Sequence, residues 1–169
     1  MYAPLQQKAL EGRRAELKRE NEYRERGIND FYYFTKAIIG VQSGGELDTK
    51  DLTPDLHFDV CRFLQNNHSR FRGIRLPRGH FKTTISLCYV IWRIVRNRNI
   101  RIFLCNESAA TAGKWLTTVE TLFERNKFFQ KLYPHVIPDW KRRDKWSDEA
   151  MLVPRDKTYP SATVERGGL

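Results

Sequence analysis

The spacing of apolar and charged positions separates an N-terminal charged segment from a series of amphipathic segments. From about Leu5 to Arg26, acidic and basic residues lie three or four positions apart, which predicts a solvent-exposed helix. The pattern therefore indicates a charged helical arm over residues 1–28. Both a frayed, solvated helix and an arm that docks on a partner fit this composition.

A second helix is predicted after the arm, with Asn29 or Asp30 as its cap and Gly40 as its end. The segment 41–51 contains a Ser-Gly-Gly sequence and is predicted to be a loop. The apolar residues of this helix are Phe31, Phe34, Ile38 and Ile39.

A third helix is predicted to begin at Thr53 and Pro54, since a capping hydroxyl followed by proline is a typical helix start. Asn66 and Asn67 are its expected end. Its expected buried face consists of Leu56, Val60, Phe63 and Leu64.

Strands and helices alternate in the rest of the chain. Short strands are predicted at Gly73–Leu76, Ile100–Cys105 and Met151–Val153, with an apolar, buried helix at Lys82–Arg96. Another helix begins after Ser108, and the chain becomes irregular after Asn126. This order predicts a parallel α/β sheet with right-handed crossovers. The core-facing stripe of the Ser108 helix is Ala112, Trp115, Leu116, Val119, Leu122 and Phe123.

Composition narrows the possible partners. The chain has 169 residues, enough for one domain, and its net charge of +10 favours a polyanionic partner such as nucleic acid or nucleotide. No apolar run approaches the roughly 20 residues of a membrane span, and no secretory signal is visible. The three cysteines, Cys61, Cys88 and Cys105, are expected to be buried, reduced thiols, and the four histidines show no zinc spacing.

The segment 76–84 has the order of a phosphate-binding loop. Such a loop needs a strand, a tight turn with inward backbone N–H groups, a lysine and a following hydroxyl. Here the turn is Pro77–Phe81. Lys82 is expected to reach the terminal phosphates, and Thr83 to coordinate magnesium at a helix N-terminus whose dipole favours anions.

The loop departs from the G-x-x-x-x-G-K-[ST] pattern, because Leu76 and Phe81 stand where the glycines would be and Gly79 lies inside the turn. Arg78 can act as an arginine finger on the γ-phosphate, or can be a surface arginine of a basic turn. No Asp or Glu occurs in Arg70–Arg101, which fits phosphate or DNA contact, or else a solvated basic face.

Several segments together resemble the large terminase subunits of tailed bacteriophages, over roughly residues 30–169. The residues that carry the resemblance are the Thr53-Pro54 helix with His57, the loop Leu76–Thr84, the strand Ile100–Cys105, Asn106-Glu107-Ser108, Leu132-Tyr133-Pro134 and Trp146-Ser147. Phe81 differs from the glycine that the family often keeps before the lysine.

The resemblance implies an ASCE-type P-loop NTPase, a three-layer α/β fold with a parallel sheet. Residues 29–169 would be the N-terminal part of the ATPase domain, preceded by the helical extension. Lys82 would bind the β- and γ-phosphates, Thr83 the Mg²⁺ of MgATP, and Arg78 the γ-phosphate, while His57 lies on the helix beside the adenine. The implied nucleotide-binding residues are His57, Pro77, Arg78, Gly79, His80, Phe81, Lys82, Thr83 and Thr84.

The resemblance also implies an ATP-hydrolysing motor that packages viral double-stranded DNA in the cytoplasm of a bacterial host. Such a subunit forms a homo-oligomeric ring on a portal protein, works with a small terminase subunit, carries a nuclease domain and is not a stable part of the virion. No membrane is implied. An arginine finger supplied by a neighbouring subunit is a further expectation, for which the candidates are Arg142, Arg143, Arg155 and Arg166.

An ATPase of this class needs an apolar strand that ends in Asp-Glu, for the metal and the attacking water. The nearest segment is Ile102–Glu107, where Asn106 supplies no carboxylate, so it is interpreted as the second strand, with a degenerate acidic motif as the alternative. The acidic strand and the nuclease domain are expected beyond Leu169. Residues 1–169 alone are therefore expected to bind nucleotide poorly and not to turn over ATP.

Two other functions fit the same residues. One is a different P-loop ATPase that acts on nucleic acid, such as a helicase-like protein, which residues after Leu169 would distinguish. The other is a non-catalytic basic nucleic-acid-binding module, in which Lys82 and Thr83 merely begin a helix.

Overall fold

A computed structural model describes residues 3–40, 47, 49–141 and 145–168 of the chain. The first element, α1, is a single helix over Ala3–Asn29. Its residues from Gln6 to Lys18 are exposed, whereas its last third lies on the core. There Arg24 Nε donates a 2.6 Å hydrogen bond to the Leu132 carbonyl oxygen.

The next helix begins at the predicted cap. The Asp30 carboxylate accepts a 2.9 Å hydrogen bond from the Tyr33 amide, and α2, Phe31–Tyr33, continues without a break into π-helical turns over Phe34–Ile39. Gly40 caps the C-terminal end of this helix, as predicted. All four of the predicted apolar residues are buried. The loop predicted over 41–51 lies mostly outside the described residues.

The third helix has a different buried face from the one predicted. A π-helical turn, Pro54–Phe58, leads into α3, Asp59–Asn66, and the residues that point into the core are His57, Cys61 and Leu64. Of the predicted face only Leu64 is buried. Leu56, Val60 and Phe63 instead line an open groove of about 330 Å³ against residues 73–76, because the helix is turned toward that segment.

The predicted strand at Gly73–Leu76 is wrong. Residues 71–77 are assigned to neither helix nor strand; partly buried and exposed positions alternate from Phe71 to Pro77, but the segment forms no ladder with any described strand. Such alternation is typical of a strand, but among the described residues this segment has no neighbouring strand to hydrogen-bond with. The helix that follows, α4, spans Lys82–Arg96 as predicted, and seven of its residues are buried.

The sheet has three described strands in the order β1-β3-β2. β1 is Ile102–Asn106, β2 is Ala150–Met151 and β3 is Val164–Gly168. β1 and β3 run parallel, whereas β2 is antiparallel to β3, so these strands form a mixed sheet rather than the parallel one expected. β2 replaces the longer strand predicted at 151–153, and β3 was not predicted at all.

The segment between β1 and β2 is more ordered than predicted. α5, Ala109–Arg125, presents the expected stripe to the core, with Trp115 only partly buried. After it comes a further helix, α6, Lys127–Leu132, where an irregular chain was expected. Its cap is Asn126, whose side-chain oxygen accepts a 2.8 Å hydrogen bond from the Phe129 amide. A short 3₁₀ turn, Pro134–Val136, follows.

The core joins both halves of the described chain around α4. Trp92 in this helix donates a 2.9 Å hydrogen bond to the Gly27 carbonyl oxygen, which ties α1 to it. The cysteines are all free thiols, but only Cys61 and Cys88 are buried, and the prediction was wrong for Cys105, which is exposed on β1. No helix within the described residues is long and apolar enough to cross a membrane.

Candidate phosphate-binding loop

Two residues of the turn before α4 have backbone conformations that residues other than glycine rarely adopt. Gly79 has φ 82° and Phe81 has φ 50°, both in the left-handed region. Glycine adopts this region freely, whereas a phenylalanine there carries steric strain. Phe81 is also the N-terminal cap of α4 and offers no capping hydrogen bond, so the first N–H groups of the helix face the loop without a side-chain acceptor.

Lys82 holds the loop together. Its ammonium donates hydrogen bonds of 2.6 Å to the carbonyl oxygens of Leu76 and of Pro77, at the other end of the turn. An ammonium has three N–H donors, so one remains for a further acceptor. The loop thus closes around a positive charge on the first turn of α4, whose dipole also favours an anion at this end.

The other predicted residues of the loop lie on its surface. Thr83 is exposed and Thr84 partly buried on the first turn of α4, while Arg78 and Gly79 are fully on the exposed side of the turn. His80 Nδ1 lies 3.1 Å from the Arg78 carbonyl oxygen. Among the described residues, none forms an ion pair with Arg78. The arrangement can bind a phosphate with one ammonium, one guanidinium and the helix N-terminus.

His57 is brought against this loop from the preceding helix. His57 is 4% exposed, and its ring lies edge-to-face with Phe81, with 5.6 Å between the ring centroids. Nδ1 accepts a 2.8 Å hydrogen bond from the Thr53 amide, which leaves the proton on Nε2. Nε2 is buried and has no hydrogen-bond partner among the described residues. The structure therefore joins His57, Phe81 and Lys82 in one continuous unit.

The remaining candidates lie outside this unit or outside the described residues. Arg166 donates a 2.6 Å hydrogen bond to the Asp148 carbonyl oxygen. Arg155 donates a 2.7 Å hydrogen bond to that of Ser161, so both arginines are engaged within the chain. Arg142 and Arg143 are not described. At the end of β1, the Asn106 side chain accepts a 3.0 Å hydrogen bond from the Ser108 amide, and Glu107 is exposed.

Sequence reasoning missed the part of Leu76 in the site. Its contribution is a backbone carbonyl, which any residue type would offer, so no sequence pattern could have signalled it.

Comparison of the chain with protein-family models, with curated proteins and with solved structures finds no match. Within the described part of the chain, no three His, Cys, Asp or Glu side chains are grouped so that they could hold a metal ion.

Proposed function

We propose that this chain is the nucleotide-binding part of an ATP-driven DNA-packaging motor, a large terminase subunit of a tailed phage or prophage. The observation that carries the proposal is the loop folded around the Lys82 ammonium at the start of α4, with a hydroxyl residue directly after it. The proposed fold is an ASCE-type P-loop NTPase. The resemblance described above supplies the rest: double-stranded DNA, a portal protein and a small terminase subunit as partners, in a ring within the bacterial cytoplasm.

Each loop residue has a definite part in this proposal. Lys82 exchanges its contacts with the Leu76 and Pro77 carbonyls for the β- and γ-phosphates of ATP. Thr83, exposed on the first turn of α4, would supply a hydroxyl oxygen to the Mg²⁺ of MgATP. Arg78 is free on the surface of the turn to meet the γ-phosphate.

His57 would sense the occupied loop through Phe81. The buried Nε2–H has no acceptor among the described residues, and leaving such a donor unpaired costs about 1–3 kcal/mol. Displacement of the Phe81 ring by a nucleotide would bring this donor within reach of the ligand. The ring contact of His57 with Phe81 supports a place for His57 near the nucleotide, as the resemblance implies for its helix.

Protection of Lys82 from acylation tests nucleotide binding directly. Purified chain is treated with an amine-reactive reagent, with and without a saturating concentration of MgATP, and the modified lysines are quantified by mass spectrometry. Lys114, which is exposed on α5, is the internal control. MgATP is expected to slow modification of Lys82 at least about tenfold and to leave Lys114 unchanged. Equal rates at Lys82 with and without MgATP would overturn the proposal.

Hydrolysis is expected to need residues other than the described ones. None of the described strands ends in an Asp-Glu pair: β1 ends at Asn106, β2 at Met151 and β3 at Gly168. The chain of residues 1–169 is therefore expected to bind MgATP without measurable release of phosphate. Phosphate release that disappears in a Lys82→Ala variant would contradict this part and leave the binding proposal standing.

A further inference from the structure

A second basic site lies toward the opposite end of α4 from the phosphate-binding loop. It is a cavity of about 430 Å³, which falls within the size range of ligand pockets. We call it the Tyr89 cavity, after one of the residues that line it. The three arginines that line it are Arg72, Arg93 and Arg96, and its aromatic walls are Tyr89 and Trp92. Among the described residues that line it, none is acidic.

Two of the arginines converge on one phenol oxygen. Arg72 donates a 2.9 Å hydrogen bond to the Tyr89 hydroxyl, and Arg93 donates one of 3.0 Å to the same atom. Burial opposes ionisation of this phenol, but hydrogen bonds and charge from Arg93 and Arg72 outweigh it and hold the Tyr89 pKa below its usual value. Because the oxygen accepts twice, the hydroxyl hydrogen is left for a further acceptor.

The guanidinium groups keep unused donors. Arg72 and Arg93 make the hydrogen bonds of this site through one terminal nitrogen each, although a guanidinium carries five N–H donors. Arg96 is exposed and stacks over Trp92, with 4.4 Å from the guanidinium carbon to the ring centroid. No described carboxylate forms an ion pair with any of the three. An anion in the cavity would offset their mutual repulsion and take up the unused donors.

The C-terminal end of a helix attracts cations, and this accounts for Arg93 and Arg96 in the last turn of α4. It does not account for Arg72, which comes from the segment before the loop. Arg72 is fixed there by further hydrogen bonds of 2.9 and 3.2 Å to the carbonyl oxygens of Leu64 and Asn67. A third cation is thus held in place beside the other two by the fold.

The segment that supplies Arg72 favours a nucleic-acid ligand over a small free anion, although its neighbours Arg70 and Phe71 do not themselves line the cavity. Phe71, next to Arg72 in the chain, is 83% exposed, and the Arg70 guanidinium lies 5.5 Å from its ring centroid. An exposed aromatic ring between two arginines is typical of surfaces that bind a phosphate backbone and stack a base. We propose that the Tyr89 cavity binds a phosphate of a nucleic-acid backbone, with Arg72, Arg93 and Arg96 as donors.

This site is distinct from the nucleotide loop. Arg96 follows Lys82 by fourteen positions in α4, which is about 21 Å along the helix axis. The choice of DNA as the nucleic acid rests on the proposed function, whereas the anion site itself does not. The two proposals therefore fail separately: loss of DNA binding in a cavity variant leaves protection of Lys82 by MgATP intact, and a Lys82→Ala variant leaves DNA binding intact.

Fluorescence anisotropy with a labelled DNA of random sequence, as duplex and as single strand, tests the site over a range of KCl concentrations. The cavity variant is the double substitution Arg93→Gln and Arg96→Gln in the whole chain. The matched control is Arg13→Gln and Arg14→Gln, which removes the same charge from the exposed part of α1. Tyr89→Phe, which removes only the hydroxyl, is a second variant for the case in which the double substitution unfolds the protein.

The cavity variant is expected to bind DNA at least about tenfold more weakly, with the slope of log K against log [KCl] reduced by about 1 to 2. Tyr89→Phe is expected to weaken binding severalfold, and the arm control less than twofold. Equal losses in the cavity and arm variants would overturn the proposal. So would calorimetric binding of inorganic phosphate that the cavity variant loses while its DNA affinity is unchanged, since the ligand would then be a free anion.

Discussion

Lys82 donates a 2.6 Å hydrogen bond to the carbonyl oxygen of Leu76, six residues earlier in the chain, and so closes the loop that lies between them. The same ammonium bonds Pro77. A side chain that serves only to begin a helix would point to solvent, as Lys114 does on α5. Removing this charge from the turn should therefore change the free energy of unfolding, which can be measured without any ligand.

Replacing Lys82 by methionine keeps the side-chain length and removes the ammonium. Hydrogen bonds to charged groups contribute about 1.5–3 kcal/mol. The partial exposure of Lys82 lowers this, so the free energy of unfolding is expected to fall by about 1 kcal/mol. Urea unfolding followed by circular dichroism measures the change. Lys114→Met is the control and is expected to change the free energy by less than about 0.5 kcal/mol. Equal effects at the two positions would show that the two carbonyl contacts do not stabilise the loop.

Position 81 is expected to prefer glycine over alanine. Phe81 has φ 50°, where a non-glycine residue costs about 1–2 kcal/mol. Phe81→Gly and Phe81→Ala both lose the ring contact with His57, but only the alanine keeps the strain. The glycine variant should therefore be more stable than the alanine variant by about 1 kcal/mol in urea unfolding.

Ser86 gives the matched control for this comparison, because it is exposed in the interior of α4. There the order should reverse, with the glycine variant about 1 kcal/mol less stable than the alanine variant. If alanine were the more stable residue at both positions, the left-handed turn at Phe81 would not exist in solution.

The glycines of α1 test whether the arm lies on the core. A Cβ atom at Gly27 would collide with the Ile38 side chain and the Tyr133 hydroxyl, whereas one at Gly12 meets nothing within 4 Å. Gly12→Ala is expected to stabilise the protein by about 0.5–1 kcal/mol through helix propensity. Gly27→Ala is expected to destabilise it by about 1–3 kcal/mol through overpacking. Thermal unfolding measures both, and stabilisation by both substitutions would mean that α1 is not docked at Gly27.

Elements with a local sequence pattern could be predicted from the sequence. Elements that depend on a contact with a distant part of the chain could not. α4 has the predicted bounds, Lys82–Arg96, because its apolar pattern continues over these fifteen positions. β3 was missed, because its sequence Val-Glu-Arg-Gly-Gly has little strand propensity. At Gly167 the ring of Phe103 on β1 lies where a side chain would be. That contact spans more than sixty residues and leaves no local signal.

The candidate sites divide in the same way. The order of Lys82 and Thr83 in the chain is visible in the sequence, but the path of the loop around the ammonium depends on backbone atoms. For the Tyr89 cavity a signal did exist. Arg93 follows Tyr89 by four positions, and Arg96 follows Trp92 by four, which is the spacing that stacks a guanidinium on an aromatic ring in a helix. Only the position of Arg72 beside these two arginines could not be predicted from the sequence.

Thiol labelling should distinguish Cys105 from the other two cysteines. Cys105 is exposed on β1, whereas Cys61 and Cys88 are buried in the core, and burial raises the pKa of both of their thiols. In native protein at pH 8, one thiol per chain is expected to react rapidly with Ellman's reagent, and all three after denaturation. Cys105→Ser should abolish the rapid reaction. Rapid reaction of either remaining thiol in that variant would contradict the buried position of Cys61 on α3 or of Cys88 on α4.

The thiol of Cys61 makes the stability of the protein fall at alkaline pH. Its burial, and then the charge of Asp30, raise its pKa to about 12, whereas an unfolded cysteine titrates near 8.5. Between these values the unfolded chain loses the proton first, so the contribution is full below about pH 8.5 and lost as the pH rises toward 12. From pH 7.5 to 10 the loss of this contribution lowers the free energy of unfolding by about 1–2 kcal/mol.

Cys61→Ala lowers the free energy of unfolding at every pH through the cavity it leaves. Between pH 7.5 and 10, however, the free energy of unfolding of this variant should decline less than that of the unsubstituted protein, by this amount. Cys105→Ala should decline as the unsubstituted protein does. Parallel curves for Cys61→Ala and Cys105→Ala would show that the Cys61 thiol ionises as readily in the folded protein as in the unfolded chain.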